Sequence, residues 1–579
     1  MKKHKWLLIA AIAVVVLTIG GLVVFRILSD SGRRLGGSTV KIESTEPDDE
    51  TQPSDTPTEA LTGPSFPVVE LDVPPIEIQS ANMRMEAEDA VFTGLLIEEN
   101  IRTGFSGRGY LTGFAANPGD LVQAVCNIEA AQHYDITISV CADTEVTNAL
   151  IVNDERIGEF TISESGHFVR VTFSGVYLPK GETTLSIEEI DGGFSLDYFE
   201  ISDYKEMYEM EYRESYELCN KNASENAKKL MEYMSKNYGA KMLTGQYAAS
   251  DLNTESDLIF RLTGKYPAIR FADLTGFTQN STAAKSDVMG ASRAWAQRGG
   301  IVGLMWYWDA PMGVSTVYSK DSDFSLMDAL TDKELALLDW DEIEELHDEG
   351  GITDECYTIL RDIDSVSEEL KVLAQEDIPV LWRPLHEAGG DWFWWGSDGP
   401  NAYRWLWELM YTRMTEYHKL NNLIWIWNGQ SAEYLVDETM YDIASMDIYL
   451  PKETPYSSRY EQFVLLSRMT GGEKMLALSE TSSVPSMNDM FRDNCIWSFF
   501  GLWYGEYLTD SQGEYSEKYT SAEDMVALYN SEAALTLSDT AAYFLDGKEP
   551  EEVQKPTMMP TEDPTTETDE TAETTDTQS

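Results

Sequence analysis

The sequence predicts a multidomain protein: a (β/α)8 TIM barrel at residues 206–547, an all-β sandwich of the jelly-roll kind at 82–204, and a transmembrane helix at the N-terminus. Three observations predict this. Eight apolar runs of strand length alternate with amphipathic stretches in the C-terminal part of the chain. Short alternating segments separated by glycine turns precede them. Trp6–Phe25 is a run of twenty residues without a charge, long enough to cross a bilayer.

Lys2, Lys3 and Lys5 flank that run on its N-terminal side, and a positive flank stays in the cytoplasm. The rival reading of residues 1–29 is a cleaved signal peptide, but no A-x-A-like cleavage site stands near Ile27-Leu28-Ser29. An uncleaved anchor on the extracellular face of the membrane is the expectation, with secretion as the alternative. Both readings export everything that follows.

Residues 30–81 read as a disordered acidic linker and residues 548–579 as a disordered acidic, Thr-rich tail. Residues 43–80 hold ten acids, residues 556–579 hold seven, and neither stretch has a Lys or Arg. Such segments cannot bury enough apolar surface to offset their ordering entropy. The net charge of -58 argues against nucleic acid as a partner. Five scattered cysteines form neither a disulfide framework nor a zinc spacing.

Within 82–204, Asp135–Val140 and Thr184–Ile187 alternate between apolar and polar, and glycine turns fall at Gly104–Gly109, Gly181 and Gly192-Gly193. Tyr110 is a candidate stacking surface for a sugar. Of the fifteen tryptophans, Trp6 lies in the apolar run and the rest between 295 and 503.

The barrel strands are placed at Lys241–Gln246, Pro267–Asp273, Ile301–Tyr307, Pro379–His386, Asn422–Asn428, Ile443–Tyr449, Lys474–Glu480 and Ile496–Trp503, with helices at Tyr357–Ala374 and Tyr403–Leu420. Residues 312–350 read as loops and short helices at the barrel mouth. Strand ends in such a barrel converge on its C-terminal face, where sites are built. The ends here are Asp273, Tyr307, Glu387, Asn428, Tyr449, Glu480 and Trp503. The fourth strand ends in Arg383, His386 and Glu387, followed by a loop with Trp392, Trp394 and Trp395; the seventh ends in Glu480. Two glutamates at two strand ends, beside aromatic surfaces, are the minimum for glycoside hydrolysis. One carboxyl must keep its proton near neutrality, and the other must be ionised to attack.

These residues carry two resemblances. Leu243–Gln246, Gly264–Ala268, Trp306–Pro311, Arg383–Gly396, Ile424–Asn428, Asp447–Tyr449 and Leu478–Glu480 resemble glycoside hydrolase family 26, chiefly endo-β-1,4-mannanases. The resemblance implies a retaining mechanism, with Glu387 as acid/base and Glu480 as nucleophile and no cofactor for catalysis. It places Arg383, His386, Trp392, Tyr449, Trp503, Tyr307 and Asp447 around a β-mannan substrate. Many members carry His where Tyr307 stands, which leaves mixed-linkage glucan or xylan open as substrates. A glycan-binding barrel without activity is the alternative from another class.

Glu86-Ala87-Glu88, Gly107–Tyr110, Val152-Asn153, Leu178–Gly181 and Leu196–Phe199 resemble a carbohydrate-binding module of family 35 or the related family 6. That resemblance implies a structural calcium at Glu86, Glu88 and Asp197; carboxylate oxygens suit calcium. Read alone, the three are also ordinary surface acids.

Overall fold

The computed structural model describes residues 63–73, 81–117, 119–204, 212–213, 215–452 and 457–550. The expected anchor, most of the linker and nearly all of the tail lie outside these residues. Among the described residues no helix is long and apolar enough to cross a membrane.

Residues 82–203 form two packed antiparallel sheets. One runs Ile97–Glu99, Tyr110–Thr112, Phe194–Asp203, Gln132–Ala142, Val169–Leu178, with Asn82–Glu86 also on Phe194–Asp203; the other runs Val91–Thr93, Leu121–Ile128, Gly181–Glu188, Val146–Val152, Glu155–Ile162. Alternation does the sorting. Ile136, Ile138 and Val140 are fully buried between the sheets, against Leu150, Leu185 and Phe199. Cys126 and Cys141 sit in different sheets, and all five cysteines are free.

The barrel closes through eight parallel strands: β1 Gly245–Tyr247, β2 Ile269–Asp273, β3 Ile301–Met305, β4 Val380–Arg383, β5 Leu423–Trp427, β6 Ile443–Ile448, β7 Met475–Thr481 and β8 Phe500–Leu502. Buried on both sides, these strands are continuous apolar runs rather than alternating ones. The first strand departs from expectation. Met242–Leu243 pairs instead with Ala534–Leu535, and the Thr244 hydroxyl donates to the Leu535 carbonyl at 2.9 Å. Only Gly245–Tyr247 joins the barrel.

The helix expected to run to Leu420 is α-helical over Pro400–Thr412 and widens to a π turn at Arg413–Tyr417. Arg413, fully buried, donates to Asp364 at 2.6 Å and to the carbonyls of Ala336 and Leu338 at 3.2 and 3.1 Å. His418 meets the same carboxylate at 2.6 Å. The network joins the helix Asp354–Ala374 to the segment between β3 and β4, which holds the helix Trp340–Asp348.

The linker expectation fails for residues 63–73. Val69 donates to the Asn530 carbonyl at 2.8 Å and accepts from Glu532 at 3.0 Å, as a one-residue parallel bridge. The Leu71 N–H reaches the Glu532 carboxylate at 2.9 Å. A Cβ on Gly264 would stand 1.9 Å from the Pro64 carbonyl oxygen, so the strap lies directly on the barrel. At the other end, Lys236 holds Glu549 at 3.0 Å, so the fold reaches past 547.

The sandwich rests on the barrel beside the helices that follow β6 and β7. His133 and Asp493, each 1% exposed, are 3.7 Å apart. The Arg492 guanidinium lies 4.2 Å above the Tyr177 ring, and the Tyr460 hydroxyl donates to the Gly175 carbonyl.

Candidate active site

The C-terminal ends of the barrel strands gather one buried polar cluster. Arg383, at the end of β4 and 1% exposed, donates to Asp447 at 2.8 Å, to the Tyr247 hydroxyl at 3.1 Å, and to Glu480 Oε1. A bulge at Ser479 in β7, where the register shifts opposite Met446 and Asp447 of β6, sets Glu480 opposite Asp447. Bulges re-aim side chains in this way. The Tyr449 hydroxyl donates to Glu480 Oε2 at 2.6 Å. Ser479 and Asn428 close the far side of Asp447, at 2.6 and 3.2 Å from its Oδ1.

Glu387 stands in a different environment. The chain after β4 adopts left-handed backbone at Leu385, Glu387 and Asp391, with φ of 49°, 51° and 61°. Such conformations are costly for residues with side chains and persist where surroundings impose them. Here the imposing contacts are the Glu387 N–H on the Asn428 carbonyl, 2.7 Å, and the Gly389 N–H on the Gly429 carbonyl, 3.0 Å. A Cβ at Gly396 would meet the Ala388 carbonyl oxygen at 2.1 Å, which is why the loop needs glycine there. The Glu387 carboxyl accepts from the Trp392 indole and the Gln430 amide, both at 3.1 Å.

The two carboxyls therefore titrate differently. Burial, then the charges of Asp447 and Glu480, push Glu387 well above the ordinary carboxylate range. Burial and Asp447 push Glu480 up to about 7, against the pull of Arg383 and Tyr449. Arg383 and Tyr449 make Glu480 the first of the two to ionise, and its charge then holds the proton on Glu387.

Trp392, Tyr307, Tyr449 and Trp503 are half-buried at the mouth. Trp503 packs 4.6 Å from the Tyr247 ring and 6.5 Å from Tyr307. Asp273 fixes Tyr307 by accepting its N–H at 2.7 Å. Trp394 and Trp395 are buried away from the cleft; their indoles donate to the carbonyls of Trp308 and His386 at 2.6 and 2.8 Å. His386 is 0% exposed, with its ring 4.9 Å from both Tyr307 and Phe393. Burial and the neighbouring Arg383 keep it neutral.

Sequence reasoning did not find Tyr247, Gln430 or Tyr318. Tyr318, 45% exposed, stacks on Phe393 at 5.8 Å. Tyr247 follows directly on the predicted first strand, a signal that could have found it. The other two lie in loops without periodicity.

In the sandwich, the loop Ser106–Gly109 collects the three expected metal ligands. Ser106 donates to Glu86 at 2.6 Å and, through its N–H, to Asp197 at 2.9 Å; Glu88 accepts from the Arg108 and Gly109 N–H groups at 2.7 and 3.1 Å. Among the described residues no group of three or more His, Cys, Asp or Glu side chains is placed to hold a metal ion. Tyr110 is 1% exposed, packed on Phe105 and Phe168, and so is core rather than a stacking surface.

An eight-stranded barrel with one ion-paired carboxyl and one proton-holding carboxyl at the ends of β7 and β4 is built as a glycoside hydrolase. Residues 219–536 match the profile of glycosyl hydrolase family 26, and residues 83–203 that of the carbohydrate binding module (family 35). The chain belongs to glycosyl hydrolase family 26 and carries a family 35 module. It is similar to mannan endo-1,4-β-mannosidase A of Piromyces sp, 31% identical over 489 residues, 81% of this chain and 75% of the relative. A mannan endo-1,4-β-mannosidase of Thermothelomyces thermophilus is 30% identical over 481 residues, 80% of this chain and 92% of the relative. Among solved structures, a Podospora anserina β-(1,4)-mannanase of the same two families superposes with a TM-score of 0.56 at 27% identity, covering 80% of this chain and 99% of that one.

Proposed function

We propose that the chain is a retaining, endo-acting hydrolase of internal β-1,4-mannosidic bonds in mannan, glucomannan or galactomannan, with Glu387 as acid/base and Glu480 as nucleophile. The observation that carries this is the unequal setting of the two carboxyls. Glu480 is held by Arg383 and Tyr449, as an attacking carboxylate requires. Among the described residues Glu387 makes no ion pair, and despite the nearby Arg383 it is pushed upward, as a proton donor requires.

The chemistry follows. Glu480 attacks the anomeric carbon while Glu387 gives its proton to the departing glycosidic oxygen. A glycosyl ester on Glu480 and an ionised Glu387 result. Glu387 then takes a proton from water, the hydroxide adds to the anomeric carbon, and Glu480 leaves as carboxylate. Tyr449 and Arg383 receive the charge that returns to Glu480. Trp392 and Trp503 offer indole faces to sugar rings. The names of the relatives support mannan as substrate. Tyr307 favours weighing a second reading on mixed-linkage glucan or xylan by the same mechanism. Reducing-sugar release from the three polysaccharides, measured side by side, decides. Mannan is expected to be cleaved at least tenfold faster; faster release from either other glycan overturns the substrate assignment.

We also propose that the barrel is held outside the cell by the Trp6–Phe25 anchor, on the strength of its length and lysine flank. A structural calcium in the module is proposed from two further observations. Glu88 Oε2 is buried without a hydrogen-bond partner, and burial with the nearby Glu86 raises the Asp197 carboxyl. A cation would relieve both. Chelation is expected to lower the melting temperature of the module's transition; an unchanged melt counts against calcium.

A further inference from the structure

We propose that Gln430 is a positioning residue for the acid/base: its amide fixes the Glu387 carboxyl and links it to the strand that carries Asp447. The proposal rests on the reading of Glu387 as acid/base. Gln430 lies just past the end of β5, half-buried, with its backbone left-handed at φ 58°. A glutamine held in that region marks a position its surroundings impose. Its Nε2 donates to Glu387 Oε1 at 3.1 Å, and its Oε1 faces the Asp447 N–H at 3.4 Å. A backbone N–H only donates, so the Gln430 carbonyl must face Asp447 and the amide must face Glu387.

The same turn grips the acid/base loop by its backbone, through the Asn428 and Gly429 carbonyls. Glu387 is therefore fixed at its peptide by residue 428 and at its carboxyl by residue 430, while residue 429 holds the loop two residues on, at Gly389. The Trp392 indole occupies the other oxygen at 3.1 Å. When Glu387 gives its proton to the glycosidic oxygen, it becomes a carboxylate near the charges of Asp447 and Glu480. Gln430 and Trp392 are the two N–H donors placed to receive that charge, and donors to a carboxylate favour its ionised form. An amide does so without a charge of its own. A lysine at 430 would ionise Glu387 outright and remove the acid.

The test uses the full chain with Gln430→Ala and the near-isosteric Gln430→Glu, alongside Glu387→Ala. Initial rates are taken on oligosaccharides and on aryl glycosides of graded leaving-group pKa, and kcat/KM is followed against pH. For Gln430→Ala the basic limb of kcat/KM is expected to move up by about one pH unit, the worth of one hydrogen bond to a charged group. kcat on poor leaving groups is expected to fall about tenfold, a part of what a general acid supplies, while rates on the best leaving groups change less than about twofold. Gln430→Glu is expected to move the limb further upward by adding a second negative charge. A basic limb that stays in place in both variants, or equal slowing across all leaving groups, overturns the proposal. If Glu387→Ala itself shows no leaving-group dependence, the acid/base reading falls instead, so the two failures are distinguishable. Should Gln430→Ala fail to fold, Gln430→Glu reads the same limb.

Discussion

At the residue scale the site works by giving two glutamates unequal company. Arg383 and Tyr449 hold the Glu480 carboxyl and favour its ionised form, and burial with the charges of Asp447 and Glu480 raises the Glu387 carboxyl. Replacing Glu387 by Ala is expected to slow poor leaving groups by about 10²–10⁴ while sparing acidic phenols. Steady-state rates on a graded aryl series check it, and uniform slowing would remove Glu387 from the role. The raised Glu387 carboxyl also has a cost in stability, whose sign can be worked out. Below about pH 4.3, the ordinary glutamate value, both folded and unfolded chains hold the proton and nothing is lost. As pH rises past that value the unfolded chain releases its proton and the folded one keeps it, so stability falls until the folded value is passed. Glu387→Gln is therefore expected to melt above the native chain at pH 7 and level with it near pH 4. Melting curves across that range check it, and a gap that fails to shrink on acidification would contradict it.

At the element scale the polar strand ends were legible in the sequence, because a strand buried on both faces has little use for Arg, Glu or Tyr except at its mouth. Arg383, Asp447, Tyr449 and Glu480 meet as hydrogen-bonded neighbours. What stayed hidden depends on partners far away in the chain. The first strand splits because Thr244 and its neighbours bind Ala534–Leu535. The helix widens at Arg413, where a buried guanidinium reaches Asp364. The strap at residues 63–73 has a disordered composition, yet its backbone pairs with Asn530 and Glu532. Val69→Pro deletes the N–H that donates to Asn530. A loss of about 1 kcal/mol corresponds to a melting temperature lower by about 2 °C in a domain of this size, with kcat unchanged. Calorimetry checks it, and an unaltered melt would show that the strap adds nothing.

At the scale of the whole molecule, module and barrel form a contact rather than two beads on a string. His133 is buried against Asp493, and burial pushes its imidazole down to about 4, so the contact holds a neutral histidine. Arg492 over Tyr177 and Tyr460 on Gly175 complete it. None of this was legible in the sequence, since each partner comes from a different domain. The described residues of the strap begin at 63, so residues 30–62 of the sequence separate it from the proposed anchor. Fractionation of cells making the full chain, followed by N-terminal sequencing, is expected to find it in the membrane with its N-terminus intact. Release with a new N-terminus between about residues 26 and 40, the reach of a cleaved signal segment, would contradict the anchor and leave export standing.

The central claim is that Glu480 forms the bond to sugar. The most direct measurement is the product formed by Glu480→Ala from an activated β-glycoside in the presence of azide. The account predicts turnover reduced by about 10⁴ or more without azide, then rescue by azide with the glycosyl azide of inverted configuration as product. Near-native turnover in the variant, or a folded variant that azide does not rescue, would contradict it.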